Sequence, residues 1–164
     1  MIKHFTVLFL MLCISCTIRK NEFNQKRYPI SRFKIKPIEN TAFYELVDTS
    51  SIYVLINIYN FSNLEVKIPN AIKFYKNGRV GMFKNSFDDL SSLNPKKAEM
   101  GLYKLQKNKL EMEFITYSAQ AGYFSIKSNI IIKGDTIFRN NGDFEYTYLK
   151  HPLPSEFLVY KPDW

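Results

Sequence analysis

The sequence predicts an all-β fold: a single antiparallel, up-and-down sheet of about eight strands, closed into a barrel or strongly curled. Three observations carry this reading. The 164 residues include 14 Phe and 11 Tyr, with many Ile, and such side chains suit a pleated, half-buried surface. The six Gly and seven Pro stand mostly at breaks between apolar runs. Apolar and polar residues alternate in short stretches with turn signals at a spacing of roughly 8–12 residues, and no stretch keeps a convincing helical period.

The elements follow in order. Ile52 to Ile58 is apolar at nearly every position, which predicts a strand covered on both faces. Ala71 to Tyr75 and Arg79 to Phe83 flank Asn77-Gly78. That dipeptide predicts a hairpin, because both residues tolerate the positive φ of a type I′ turn. A second hairpin runs from Leu102 to Gln106 and from Lys109 to Tyr117, turning at Lys107-Asn108. In it Leu110, Met112 and Phe114 alternate with Glu111 and Glu113, so one face is apolar and the other wet. Tyr123 to Lys127, Asn129 to Lys133, Thr136 to Arg139 and Phe144 to Leu149 continue the series. Gly134-Asp135 and Asn140-Asn141-Gly142 supply turns between them. Ser86 to Met100 reads as a long loop over one end of the sheet, with room for a helical turn at Asp88-Asp89-Leu90 and another at Pro95 to Glu99.

The N-terminus carries a different kind of signal. Met1-Ile2-Lys3-His4 is a short positive start, and Phe5 to Ile14 is apolar except for Thr6. A run of about ten residues fits a signal-peptide core and falls short of the roughly 20 needed to span a bilayer. Small Ser15 then precedes Cys16. A redox Cys-x-x-Cys would instead sit at a helix start beside a strand. Leu12-Cys13-Ile14-Ser15-Cys16 resembles the lipobox of bacterial lipoproteins, with Cys13 where Leu is usual. The resemblance implies cleavage after residue 15 and a lipid on Cys16. Three segments are therefore expected: a signal peptide over 1–15, a lipidated N-terminus with a basic flexible tether over 16–32, and an antiparallel β domain over 33–164.

Removal of the signal takes Cys13 away and leaves the folded body without a disulfide, so an apolar core must hold it together. The net charge of +8 is concentrated early, with Arg19, Lys20, Lys26, Arg27, Arg32, Lys34 and Lys36 against Glu22. Beside a lipid anchor such a stretch would be drawn to anionic head groups; its blander role is to solubilise a linker. An exported chain without a binding motif is not expected to meet nucleic acid.

From Phe74 onward the order of features resembles the small lipocalin-like lipoproteins of many Bacteroidetes. The stretches that carry the likeness are Phe74 to Val80, Gly101-Leu102-Tyr103, Leu110 to Glu113 and Lys133 to Ile137. These are mostly turn chemistry and imply a fold rather than an activity. The Gly-x-Trp motif of true lipocalins is missing, since the one tryptophan is Trp164.

For chemistry the sequence offers little. The body has one histidine, His151, read as a turn residue beside Pro152. One histidine without a thiol cannot build a His-based metal centre, so neither metal nor cofactor is expected. Glu111 and Glu113 share a strand face about 7 Å apart, a spacing a glycosidase could use but also that of any wet strand face. Asp88-Asp89 lacks the regular acidic run of a calcium loop. No phosphate-cradling glycine loop occurs. No catalytic residue is therefore assigned.

The dispersed aromatics give the one positive hint. Tyr103, Phe114, Phe124 and Tyr146 are the residues expected to line a pocket, if the curled sheet leaves room; otherwise the same rings fill the barrel. The expected role is a non-enzymatic lipoprotein of the cell envelope, facing the periplasm from the outer membrane and binding a small apolar or lipid-like molecule. The alternative is an accessory subunit that contacts an envelope protein through a sheet face or the tail Glu156 to Tyr160.

Overall fold

The computed structural model describes residues 18–36, 47–60, 70–84, 90–106, 109–142 and 144–164. The expected signal peptide, Cys16, Asp88-Asp89 and the Lys107-Asn108 turn lie outside the described residues. A two-residue pair, β1 (Arg19–Lys20) with β2 (Lys26–Arg27), precedes the main sheet. The sheet contains β3 (Ser51–Asn60), β4 (Ala71–Tyr75), β5 (Arg79–Phe83), β6 (Glu99–Gln106), β7 (Lys109–Ser118), β8 (Gly122–Lys133), β9 (Thr136–Asn140) and β10 (Phe144–Pro152). Each strand pairs antiparallel with the next, and β10 returns to β3, so the eight close into an up-and-down barrel.

Two elements differ from the sequence reading. Tyr123 to Lys127 and Asn129 to Lys133 are one strand of 12 residues. Ser128 between them is no turn; it sits buried in the ladder opposite Met112. Asn77 and Gly78 do take positive φ, 64° and 73°. The pairing of Tyr75 with Arg79, however, makes the turn Lys76–Gly78 three residues long, one more than a type I′ hairpin.

Inside the barrel, alternate residues of every strand meet in one cluster that includes Tyr53, Phe74, Tyr103, Met112, Phe114, Ile137 and Tyr148. Phe74 meets Tyr53 and Tyr103 edge to face, at centroid distances of 5.7 and 5.1 Å. Gly101 faces Phe114 across the β6–β7 ladder, and a Cβ there would stand 2.6 Å from the Phe114 ring. The glycine is what lets that ring lie flat against the wall.

Parts of the outer wall are covered as well. Ile18, Tyr28, Phe33 and Ile35 pack onto Met100, Leu102 and Ile115 of β6 and β7. Leu93, Ala98 and Phe157 pack onto Ile52, Ala71 and Phe83 of β3 to β5. The N-terminal stretch expected as a free basic tether is thus, from Ile18 onward, a strap laid on the barrel. Arg19, Lys20, Arg32, Lys34 and Lys36 are exposed while Tyr28, Phe33 and Ile35 turn inward, and burying those three offsets the entropy of ordering the chain.

Strap and C-terminal tail are pinned to each other. Arg27 Nε donates to Asp163 Oδ1 at 2.7 Å, and the Arg27 guanidinium lies 4.9 Å from the centre of the Trp164 ring. Trp164 Nε1 donates to the Gly101 carbonyl at 3.3 Å, and its ring meets Tyr75 edge on.

Candidate functional site

The four residues expected to line a pocket do not act together. Tyr103 is buried against Phe74, and its hydroxyl donates to the Tyr75 carbonyl at 2.8 Å. Phe114 and Tyr146 flank the buried guanidinium of Arg139, which lies 5.8 and 4.9 Å from their ring centres. Phe124 is 39% exposed on the projecting β7–β8 hairpin, beyond the closed part of the barrel. It therefore lines no interior. The first three rings serve as packing.

Arg139 is a finding that the sequence reading missed. It shares the inward face of β9 with Ile137, so a charge occupies an apolar position of the alternation. Its Nε donates to Ser128 Oγ at 3.0 Å, and its charge faces the Tyr148 hydroxyl, whose ionisation burial pushes up. Among the described residues no carboxylate pairs with it. The two rings and two hydroxyl neighbours spread the charge that an ion pair would otherwise neutralise.

The paired glutamates separate in role. Glu111 forms an ion pair with Lys104 at 3.3 Å. Glu113 is fully buried beneath the strap, where its Oε2 accepts from the Ile35 N–H at 2.7 Å. The wet face expected at Glu113 is dry because the strap covers it. His151 is exposed and belongs to β10 rather than to a turn.

The strongest concentration of chemistry is on the outside, at the end of the barrel where β4 turns into β5. Thr49 and Ser50 before β3, the turn Lys76–Gly78, and Leu158 to Pro162 of the tail enclose a cleft of about 580 Å³. At its base stands Lys73, on the outward face of β4 and 3% exposed. The tail covers that face, which is why a strand lysine is buried here. Its Nζ donates to the Thr49 carbonyl at 2.9 Å and lies 5.4 Å from the Tyr75 ring centre.

Burial pulls the Lys73 ammonium from its usual range down to about 8, partly opposed by Asp48. The Asp48 carboxylate is engaged elsewhere: it accepts from the hydroxyls of Ser50 and Ser51 and faces Lys150 at 3.8 Å. Lys76, Arg79 and Lys161 add three cations to the lining, which contains no carboxylate. The Tyr75 hydroxyl, also at the cleft, is buried with no hydrogen-bond partner, and burial raises its ionisation. Leu158, Tyr160 and Pro162 give the opposite wall an apolar character. A second, smaller groove of about 290 Å³ runs between the strap, Lys84 and the strands β6 and β7.

Such a site can bind and orient an anion. No protein family, curated protein or solved structure matches the chain.

The sequence held one signal for this cleft. Lys73 interrupts Ala71-Ile72-Lys73-Phe74-Tyr75, a strand otherwise apolar at every position. The other wall could not be read, because Leu158 to Pro162 come from 85 residues further along.

Proposed function

We propose that this protein is a non-enzymatic binding protein of the cell envelope, held to the outer membrane by a lipid on Cys16. Its ligand is a small anion with an apolar portion, taken in the cleft around Lys73. The observation that carries the reading is a buried ammonium group with no carboxylate beside it in the cleft lining and an unpartnered tyrosine hydroxyl at hand. A buried cation held by one carbonyl and a ring face, with no ion-pair partner, is costly, and an incoming anion relieves that cost while the apolar wall takes up the rest of the ligand. The lipid-like ligand expected from sequence fits this cleft better than the barrel interior, where side chains fill the space.

Calorimetric titration of the protein with inorganic phosphate and with octanoate tests the reading. Octanoate should bind more tightly than phosphate, and Lys73→Met should weaken both at least tenfold. Tyr75→Phe should weaken octanoate by about three- to tenfold, about what one hydrogen bond contributes. Unchanged affinity in Lys73→Met would falsify the proposal.

A second reading, an accessory subunit with a protein partner, rests on the uncovered outer wall, where Ile56, Tyr59 and Ile131 are each more than half exposed. Native mass spectrometry of protein purified from its host separates the two. A retained small anion supports the binding protein; a stoichiometric protein partner supports the accessory role.

A further inference from the structure

The strap changes where a membrane anchor would hold the barrel. Cys16 precedes Ile18 by two residues, so the chain between them spans at most about 7 Å. Ile18 is itself half-buried in the outer cluster with Ile115 of β7. An acyl chain on Cys16 would therefore meet the membrane at the barrel wall, and not at the far end of a flexible linker.

The wall beside that point has the composition of a membrane interface. On the outer face of the β7–β8 hairpin, Tyr117 and Tyr123 are 56% and 42% exposed and pack together at 5.0 Å between centroids. Lys26 of the strap lies over both rings, at 5.4 and 4.9 Å. Phe124 adds an exposed ring at the same tip. Arg19 and Lys20 on the strand paired with that of Lys26, and Lys127 of β8, are also exposed. The strap's single acid, Glu22, is paired with Lys96. Tyrosines with one apolar face and one wet end settle at the head-group level, and lysines and arginines there are attracted to anionic lipid.

We propose that the outer face of the β7–β8 hairpin, together with the strap, is a membrane seat that lies flat on a bilayer carrying anionic head groups. The seat rests on the lipid-anchor reading of Cys16. Its partner is the lipid surface itself, selected by basic charge and exposed aromatic rings. It leaves free the cleft around Lys73, which lies at the opposite end of the barrel from the β7–β8 turn.

The test uses the full lipidated protein reconstituted in vesicles of phosphatidylethanolamine and phosphatidylglycerol. The mature chain has no cysteine besides Cys16, so single substitutions accept one fluorophore each. Ser125→Cys and Lys127→Cys place a label on the seat; Ile56→Cys places one on β3, across the barrel. Lipids bearing a nitroxide near the head group should quench both seat labels at least threefold more than the β3 label. Equal quenching, or a β3 label quenched more, overturns the seat even though the protein stays on the vesicles. Seat labels shielded from aqueous iodide yet untouched by lipid nitroxide also overturn it, by showing that a protein covers this face. Mass spectrometry of the N-terminal peptide reads the anchor separately; an unmodified Cys16 removes the anchor reading and the seat with it.

Discussion

β4 and β8 are opposite walls of one barrel, built alike inside but with different outer surroundings. Every residue of β4 is buried, whereas β8 alternates between exposed and buried positions along much of its length. The inward faces are alike, since Ile72 and Phe74 pack into the same cluster as Ile130. The difference lies outside, where the tail covers β4 and no described segment covers Ile131 of β8. A closed barrel dries one face of each strand by itself. The second face is dried only where another segment is laid over it, and there a polar side chain such as Lys73 or Glu113 acquires unusual properties.

That comparison can be broken at several points. Phe33→Ala removes the most buried ring of the strap and should lower stability by about 3–5 kcal/mol, as for a core phenylalanine. A denaturant midpoint that barely moves would mean the strap is a loose cover. Gly101→Ala acts on the inner face, forcing the Phe114 ring away, and should cost about 1–3 kcal/mol. Phe114→Leu in the same chain should recover part of that loss if the clash is the cause.

Glu113→Ala leaves the Ile35 N–H buried without an acceptor and should cost about 1–3 kcal/mol. Hydrogen exchange at the Ile35 amide should accelerate more than at amides inside the barrel. If all amides accelerate equally, the strap unfolds together with the barrel and not before it.

Lys73 provides a test by pH. Its ammonium titrates near 8 in the folded chain, below its ordinary 10.5, so between these values the unfolded chain holds more protons. Stability should therefore rise with pH across that window, by at most about 1.4 kcal/mol per unit, and Lys73→Met should flatten the rise. Anion binding runs the other way and should weaken as pH climbs through about 8, because the cation is lost. Tyr75 and Tyr148, whose ionisation burial pushes up, oppose the rise from about pH 10, where the unfolded phenols begin to lose protons that the folded ones keep. The smallest effect belongs to the bare wall: Ile131→Ser should change stability by no more than about 0.5 kcal/mol.

Much of the barrel was legible because its information is local. Alternation in Leu110 to Phe114 set the inward face of β7, and Asn77-Gly78 and Gly134-Asp135 marked turns through backbone conformations that few residues accept. The split of β8 failed for the same reason, since Ser128 looks like a break when its buried neighbours are unknown. The expected pocket residues were misassigned because alternation tells which side of a strand a ring occupies and says nothing of the space left around it. Phe124 keeps the right parity, yet the hairpin runs past the end of the barrel.

By itself, then, the sequence determined the all-β class, the strand order and most of the turns, along with the chemistry available to each strand. It did so because period-two patterning and turn conformations depend on residues a few places apart. Only the tertiary structure decided that residues from Ile18 onward form a strap, that Trp164 is a pin, and that Lys73 is the buried cation of a cleft. Each of these depends on contacts across many tens of residues, between segments whose own patterns do not name their partners.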